Sequence, residues 1–218
     1  MLFDLDGTLI DTAPDMVRAL RAMQAERGFE PIDYATGRSQ VSNGAIGLLR
    51  EGFPDSDVSF GDALHREFLE VYSRDVASDS RLFPGLDMLL SSLENAAVPW
   101  GIVTNKPGFL TDMILDVLDL AERSAVTVCG DTLATRKPDP APLIHAAELA
   151  AIDPVTTLYV GDAQRDIDAG RGAGMGTIAV GYGYITAEDD AARWNADAIA
   201  ATPEELTQIV LGAVTLEP

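Results

Sequence analysis

The sequence predicts an α/β fold: a parallel sheet with helices on both faces, interrupted near its start by an all-helical insertion. Three observations predict it. Beyond residue 84, short apolar runs alternate with helical periodicity, the pattern of strands buried between two helical layers. Between residues 13 and 82 no strand pattern occurs. The polar residues of chemical interest follow the strand-like runs, where open parallel sheets bind ligands. The predicted organisation is a core of residues 1–12 and 83–218, with a helical insertion at residues 13–82.

The first strand is short, because only Met1, Leu2 and Phe3 precede Asp4. Buried strands usually run about five or six residues, so either this one is truncated or the native start lies upstream. Thr12 or Asp15 can cap a helix that carries Met16, Val17, Leu20 and Met23 at helical spacing up to Gly28. Residues 29–36 read as a loop, and residues 40–50 as a second helix interrupted by Gly44 and Gly47. After a turn at 54–57, Phe60, Leu64, Phe68, Leu69, Val71 and Tyr72 mark a longer amphipathic helix. Pro84-Gly85 is a boundary. Helices then read at 86–97, 109–120, 140–151, 167–173 and 203–211, and strands at 100–104, 125–129, 157–160, 177–180 and 198–199.

Composition bounds the function. A chain of 218 residues, 47% hydrophobic and 23% charged, fits one globular domain or a core with a modest insertion. There is no 18-residue apolar run and no charged-then-apolar leader, so neither a membrane span nor a signal peptide is expected. The single cysteine, Cys129, cannot form an intramolecular disulfide, which fits a reducing compartment such as the cytoplasm. In the run Val126-Thr127-Val128-Cys129 it reads as a small buried residue rather than a nucleophile. The net charge of −20 argues against nucleic acid and anionic membranes as partners. Any phosphate site must therefore be locally positive. Of 15 basic residues only Lys106 and Lys137 are lysines, and both follow strand-like runs.

The chemistry begins with Asp4 and Asp6. Alternate residues of a strand share a face, so both carboxylates can point the same way where the chain breaks out at Gly7. Carboxylates held that close repel unless a cation joins them or one takes a proton. Further polar residues follow later strands: Thr104, Asn105 and Lys106, then Lys137 in the Arg136-Lys137-Pro138-Asp139-Pro140 loop, then Asp162 and Asp166. One carboxylate can act as a nucleophile toward phosphorus, and a second can move a proton to the leaving alcohol. A hard cation held by carboxylates lets an anionic nucleophile approach an anionic phosphate. A hydroxyl, backbone N–H groups and a lysine can hold the remaining phosphate oxygens. Taken singly, each piece has a plainer reading. Thr104-Asn105 can be a helix cap, Lys137 a solvated loop lysine, Gly161-Asp162 a turn, and Asp166 with Asp168 an acidic first helical turn. Arg165 and Arg171 read as surface residues, and His65 and His145 as structural.

Together, in this order, the motifs resemble those of the haloacid dehalogenase superfamily, and the chain resembles its phosphoglycolate-phosphatase-like branch from end to end. Asp4-Leu5-Asp6-Gly7-Thr8-Leu9-Ile10-Asp11-Thr12 is similar to the first motif, Thr104 to the second, Lys137 to the third and Gly161-Asp162-Ala163-Gln164-Arg165-Asp166 to the fourth. The resemblance implies a Rossmann-like core with a mobile helical cap at residues 13–82. It implies Asp4 as nucleophile and Asp6 as general acid/base. It also implies Mg²⁺ held by Asp4, the Asp6 carbonyl and Asp162, with Asp166 in support. The implied partner is a small phosphorylated metabolite, and the implied assembly a monomer or homodimer. Asp6 argues against a dehalogenase, whose halide leaving group needs no proton. The absence of lysine from residues 13–82 excludes a cap Schiff base of the phosphonatase kind. A phosphosugar mutase keeps both aspartates and stays an alternative.

Gln40-Val41-Ser42-Asn43-Gly44 and Tyr182-Gly183-Tyr184-Ile185 are similar to phosphatases of 2-phosphoglycolate and of N-acetylmuramic acid 6-phosphate. Thr104, Asn105 and Lys137, with Arg18, Ser42 and Asn43 from the insertion, are the expected substrate contacts. A phospho-signalling receiver also gathers carboxylates, Thr and Lys at strand ends. Such a domain is shorter, lacks the helical insertion and keeps its phospho-acceptor on a later strand. A non-catalytic binding protein on the same fold is the remaining alternative, although every motif residue is in place.

Overall fold

The computed structural model describes residues 1–186 and 189–215; residues 187–188 and 216–218 of the expected core lie outside them. Among the described residues, six strands form one parallel sheet: β1 (Leu2–Phe3), β4 (Gly101–Val103), β5 (Thr127–Val128), β6 (Leu158–Gly161), β7 (Gly176–Val180) and β8 (Ala198–Ala200). Their spatial order is β5-β4-β1-β6-β7-β8.

Alternation along the strands sends neighbours into different cores. Phe3, Ile102 and Val160 pack with leucines of α5 (Leu86–Asn95) and α6 (Gly108–Val117), and with Leu206 of α9 (Pro203–Thr215). Leu2, Val103 and Tyr159 pack with Leu143 and Ala146 of α7 (Ala141–Leu149) and Ala169 of α8 (Gln164–Gly172). Both faces are thus covered, as the apolar strands predict.

The short first strand is anchored on both sides. It lies in the middle of the sheet, pairs with β4 and β6, and both its side chains are fully buried. Its ladder continues past Phe3, since the Asp4 N–H donates to the Val160 carbonyl at 2.8 Å. Neighbours on both sides compensate for its length.

Between β1 and α5 lie the helices α1 (Ala13–Glu26), α2 (Tyr34–Gln40), α3 (Gly44–Gly52) and α4 (Ala63–Ser73), with a 3-10 turn at Val41–Asn43. These helices pack chiefly on one another. The expected loop at 29–36 is shorter than predicted: α2 starts at Tyr34, because the Asp33 side chain accepts the Thr36 N–H and caps it. Gly44, at φ +66°, interrupts the predicted second helix. A feature without sequence periodicity also emerges. Residues flanking the block form an antiparallel ribbon of β2 (Ile10–Asp11) and β3 (Arg81–Leu82). Two-residue strands are too short to carry an alternation pattern.

Neither predicted cap of α1 is used as one. Thr12 occupies the cap position without a capping bond. Its hydroxyl donates to Asp6, and Asp15 accepts from the Asp79 and Ser80 N–H groups.

Candidate active site

The chain leaves β1 through a tight turn at Gly7, whose φ is +83°. A Cβ there would strike the Asp162 carboxylate and the Tyr184 ring, so glycine is required by backbone and by space. The turn delivers Asp4 and Asp6 to the carboxyl edge of the sheet, beside the ends of β4 and β6.

Lys137 organises the buried half of the site. Its ammonium lies 2.8 Å from Asp4 Oδ1, 2.7 Å from Asp166 Oδ1 and 2.7 Å from the Tyr159 hydroxyl. The lysine is 2% exposed, so the solvated-loop reading fails. Asn105 holds its backbone from both sides: Asn105 Nδ2 donates to the Lys137 carbonyl at 3.0 Å, and the Lys137 N–H donates to Asn105 Oδ1 at 3.1 Å. The Asn105 amide is therefore spent on Lys137, although the residue lines the cleft.

Asp4, Asp162 and Asp166 each offer a carboxylate oxygen within 4.8 Å of the others, and all three are buried. Asp162 Oδ2 accepts from the Ser42 hydroxyl at 2.6 Å and the Tyr184 N–H at 3.0 Å. Asp162 Oδ1 is buried with no hydrogen bond. Burial, then the charges of Asp4 and Asp166, push the Asp162 carboxyl well above the usual carboxylate range. Burial likewise raises Asp166, against the pull of Lys137. A hard cation answers both the repulsion and the unpaired oxygen, and an all-oxygen donor set suits Mg²⁺.

Asp6 lies apart from this cluster. Its Oδ1 accepts from Thr12 Oγ1 at 2.5 Å and from Lys106 Nζ at 2.9 Å. Lys106 is buried and sits 4.9 Å from the centre of the Tyr72 ring on α4. Burial opposes the charge of Lys106, but Asp6 and Tyr72 outweigh it and hold the ammonium protonated. Burial raises the Tyr72 hydroxyl to about 12. Thr104 is buried behind the lysine, and its hydroxyl accepts the Lys106 N–H at 3.2 Å.

These groups open onto a cleft of about 490 Å³ between the sheet edge and the helical block. Lys106, Arg136, Lys137 and Arg165 line it with Asp4, Asp6 and Asp131, so basic side chains outnumber acidic ones there on an otherwise acidic protein. Val41, Ile46, Phe60, Phe68, Leu69 and Phe109 give it an apolar wall.

The structure brings together Asp4, Asp6, Thr104, Asn105, Lys137, Asp162 and Asp166, with Ser42 and Asn43 on the opposite lip. It does not bring Arg18 there. Arg18 is clamped by Asp15, Asp75 and Asp79, at 2.6, 2.9 and 2.5 Å, where α1 meets the return to the core. With three carboxylate partners, Arg18 tethers α1 to this return segment, away from the cleft lining. Arg165 departs from its expected surface role. It lines the cleft and donates to the Ser42 carbonyl at 2.7 Å. Arg171 does stay outside, donating to the Asn195 carbonyl. His65 lines the cleft, yet its Nδ1 accepts the Gly61 N–H, the structural role expected. Lys106 is the main residue that the motifs miss, and its rarity as one of two lysines was the available signal.

Comparison with known proteins agrees with this geometry. The haloacid dehalogenase-like hydrolase family model matches residues 1–180. An N-acetylmuramic acid 6-phosphate phosphatase of Pseudomonas putida is 45% identical over 215 residues, 98% of this chain and 96% of the relative. A phosphoglycolate phosphatase of Xylella fastidiosa is 44% identical over 208 residues, 95% of this chain and 91% of the relative. Among solved structures, a predicted phosphoglycolate phosphatase from Haemophilus somnus superimposes with a TM-score of 0.82 at 25% identity, covering 96% of each chain.

Proposed function

The chain belongs to the haloacid dehalogenase-like hydrolases, and from that premise we propose that it is a Mg²⁺-dependent phosphomonoesterase working through an aspartyl-phosphate on Asp4. The carrying observation is the arrangement around Asp4: a carboxylate at the end of the central strand, fixed by Lys137, beside an unpaired Asp162 oxygen and facing a positive cleft. Asp4, the Asp6 carbonyl, Asp162 and Asp166 would hold the cation. When bound, it neutralises the phosphate so that an anionic nucleophile can approach.

The side chains then divide the work. The Asp4 carboxylate attacks phosphorus, and the bond to the leaving oxygen breaks as Asp6 gives that oxygen its proton. Asp6 next takes a proton from water, which attacks the same phosphorus and releases phosphate and free Asp4. Thr12 and Lys106 both fall on Asp6 Oδ1, which leaves Oδ2 to carry the proton. Thr104 and Lys137, which line the cleft, would contact phosphate oxygens. Residues 13–82 act as a cap over the leaving group, with Ser42 and Asn43 at its lip.

The size of the cleft bears on the substrate. About 490 Å³ lies in the range that encloses a drug-sized ligand. N-acetylmuramic acid 6-phosphate, an amphipathic amino sugar, suits such a volume and its apolar wall better than 2-phosphoglycolate, whose leaving group is a bare carboxymethyl unit. The test is phosphate release with Mg²⁺ from a panel containing both compounds and hexose phosphates. Turnover of the amino sugar phosphate above the others is expected, together with a loss of about 10⁴-fold or more in Asp4→Asn. Absence of phosphate release from every compound, or full activity in Asp4→Asn, would refute the proposal.

A further inference from the structure

We propose that Ser42, which sits in the helical block, is a positioning residue for the divalent cation and couples occupancy of the cation site to docking of that block. This rests on the phosphatase reading and extends it to a residue outside the family motifs.

Two bonds at one residue carry the inference. The Ser42 hydroxyl donates to Asp162 Oδ2 at 2.6 Å, and Arg165 Nη2 donates to the Ser42 carbonyl at 2.7 Å. Asp162 and Arg165 both lie where β6 passes into α8, whereas Ser42 lies in the 3-10 turn between α2 and α3. The block thus grips the cation-binding segment through both the side chain and the backbone of one residue.

The consequence for Asp162 is directional. Ser42 and the Tyr184 N–H occupy Oδ2, and Oδ1 alone is left without a hydrogen bond. A carboxylate held by one oxygen presents the other at a fixed angle, and donors that orient a ligand in this way affect metal affinity about 10–100-fold. The Tyr184 donor belongs to the core. Ser42 is the donor that leaves when the block swings away. By reciprocity, a cation that binds better with Ser42 in place must also hold the block down.

Calorimetric titration of MgCl₂ into the purified chain, without substrate, tests this directly. The Mg²⁺ dissociation constant is expected to rise about tenfold in Ser42→Ala and to stay within about threefold of the parent in Ser42→Thr, which keeps the hydroxyl. In the parent, Mg²⁺ should slow amide exchange across residues 38–46, and in Ser42→Ala it should not. Equal Mg²⁺ affinity in the parent and Ser42→Ala would overturn the role of Ser42 while leaving the phosphatase reading intact. Equal losses in the alanine and threonine variants would overturn it too. A parent chain that binds no Mg²⁺ would instead overturn the phosphatase reading itself.

Discussion

The sheet edge and the helical block meet the same cleft by different means. At the sheet edge Lys137 and Asp166 are each held several times over. Lys137 is pinned through its ammonium by Asp4 and Asp166 and through its backbone by Asn105. Asp166 accepts from the Ala163 N–H as well as from Lys137. On the block, single side chains make the connection. Ser42 reaches Asp162, Tyr72 faces Lys106, and Arg38 donates to the Gly183 and Tyr182 carbonyls while stacking on the Tyr184 ring. The difference separates two kinds of attachment. Lys137 and Asp166 at the sheet edge are immobilised by redundant buried contacts. The helical block is fastened by a few separate polar and cation–π contacts.

Lys137→Met breaks the rigid side of this contrast hardest. It leaves Asp4 and Asp166 buried without their cation, and removing one partner of a buried pair costs about 3–5 kcal/mol. A large drop in melting temperature and a loss of phosphate release of about 10²-fold or more are expected. A variant as stable as the parent would mean that Lys137 does not organise the edge. Arg38→Ala probes the fastened side. It should lower the melting temperature by only about 2–4 °C, the shift that about 1 kcal/mol gives in a chain of this size. It should also speed amide exchange in α2 and α3 more than in the sheet. A loss as large as that of Lys137→Met would erase the distinction between the two regions.

The smallest effect expected is that of salt. With a net charge of −20, self-repulsion loosens the molecule, so added KCl should raise the melting temperature through screening, by less than Arg38→Ala lowers it. Exchange in the block should slow more than exchange in the sheet. A melting temperature that does not move with KCl would count against repulsion as a term in stability.

What could be read from the sequence follows the range of each interaction. The sheet was legible because alternation is local, and Asp4 and Asp6 were legible because two residues one apart on a strand share a face. Thr104, Lys137, Asp162 and Asp166 each follow a strand, and the parallel arrangement carries them to one edge. The failures are long-range polar pairs. Arg18 finds Asp75 and Asp79, Lys106 finds Asp6, and Arg165 finds Ser42, and no local pattern specifies any of them. Helical periodicity places the block's apolar face but does not say which polar residue at its rim touches the core. Ser42 shows the limit well. The sequence named it as an expected substrate contact, but its bond to the Asp162 carboxylate was not legible there.

Tyr184 carries a consequence for how the protein is made. Its hydroxyl accepts from the Thr12 and Ala13 N–H groups, its O–H donates to Asp11, and its backbone N–H holds Asp162. One side chain, made long after Asp4, therefore joins the entrance of the helical block to the carboxylate cluster. The block consists of near neighbours in sequence and can form early on the ribosome, whereas β1 waits for β6, and the site waits for Tyr184. Asp4 is translated well before β6 and Tyr184, so a nascent chain carries this aspartate long before the surroundings that hold it exist.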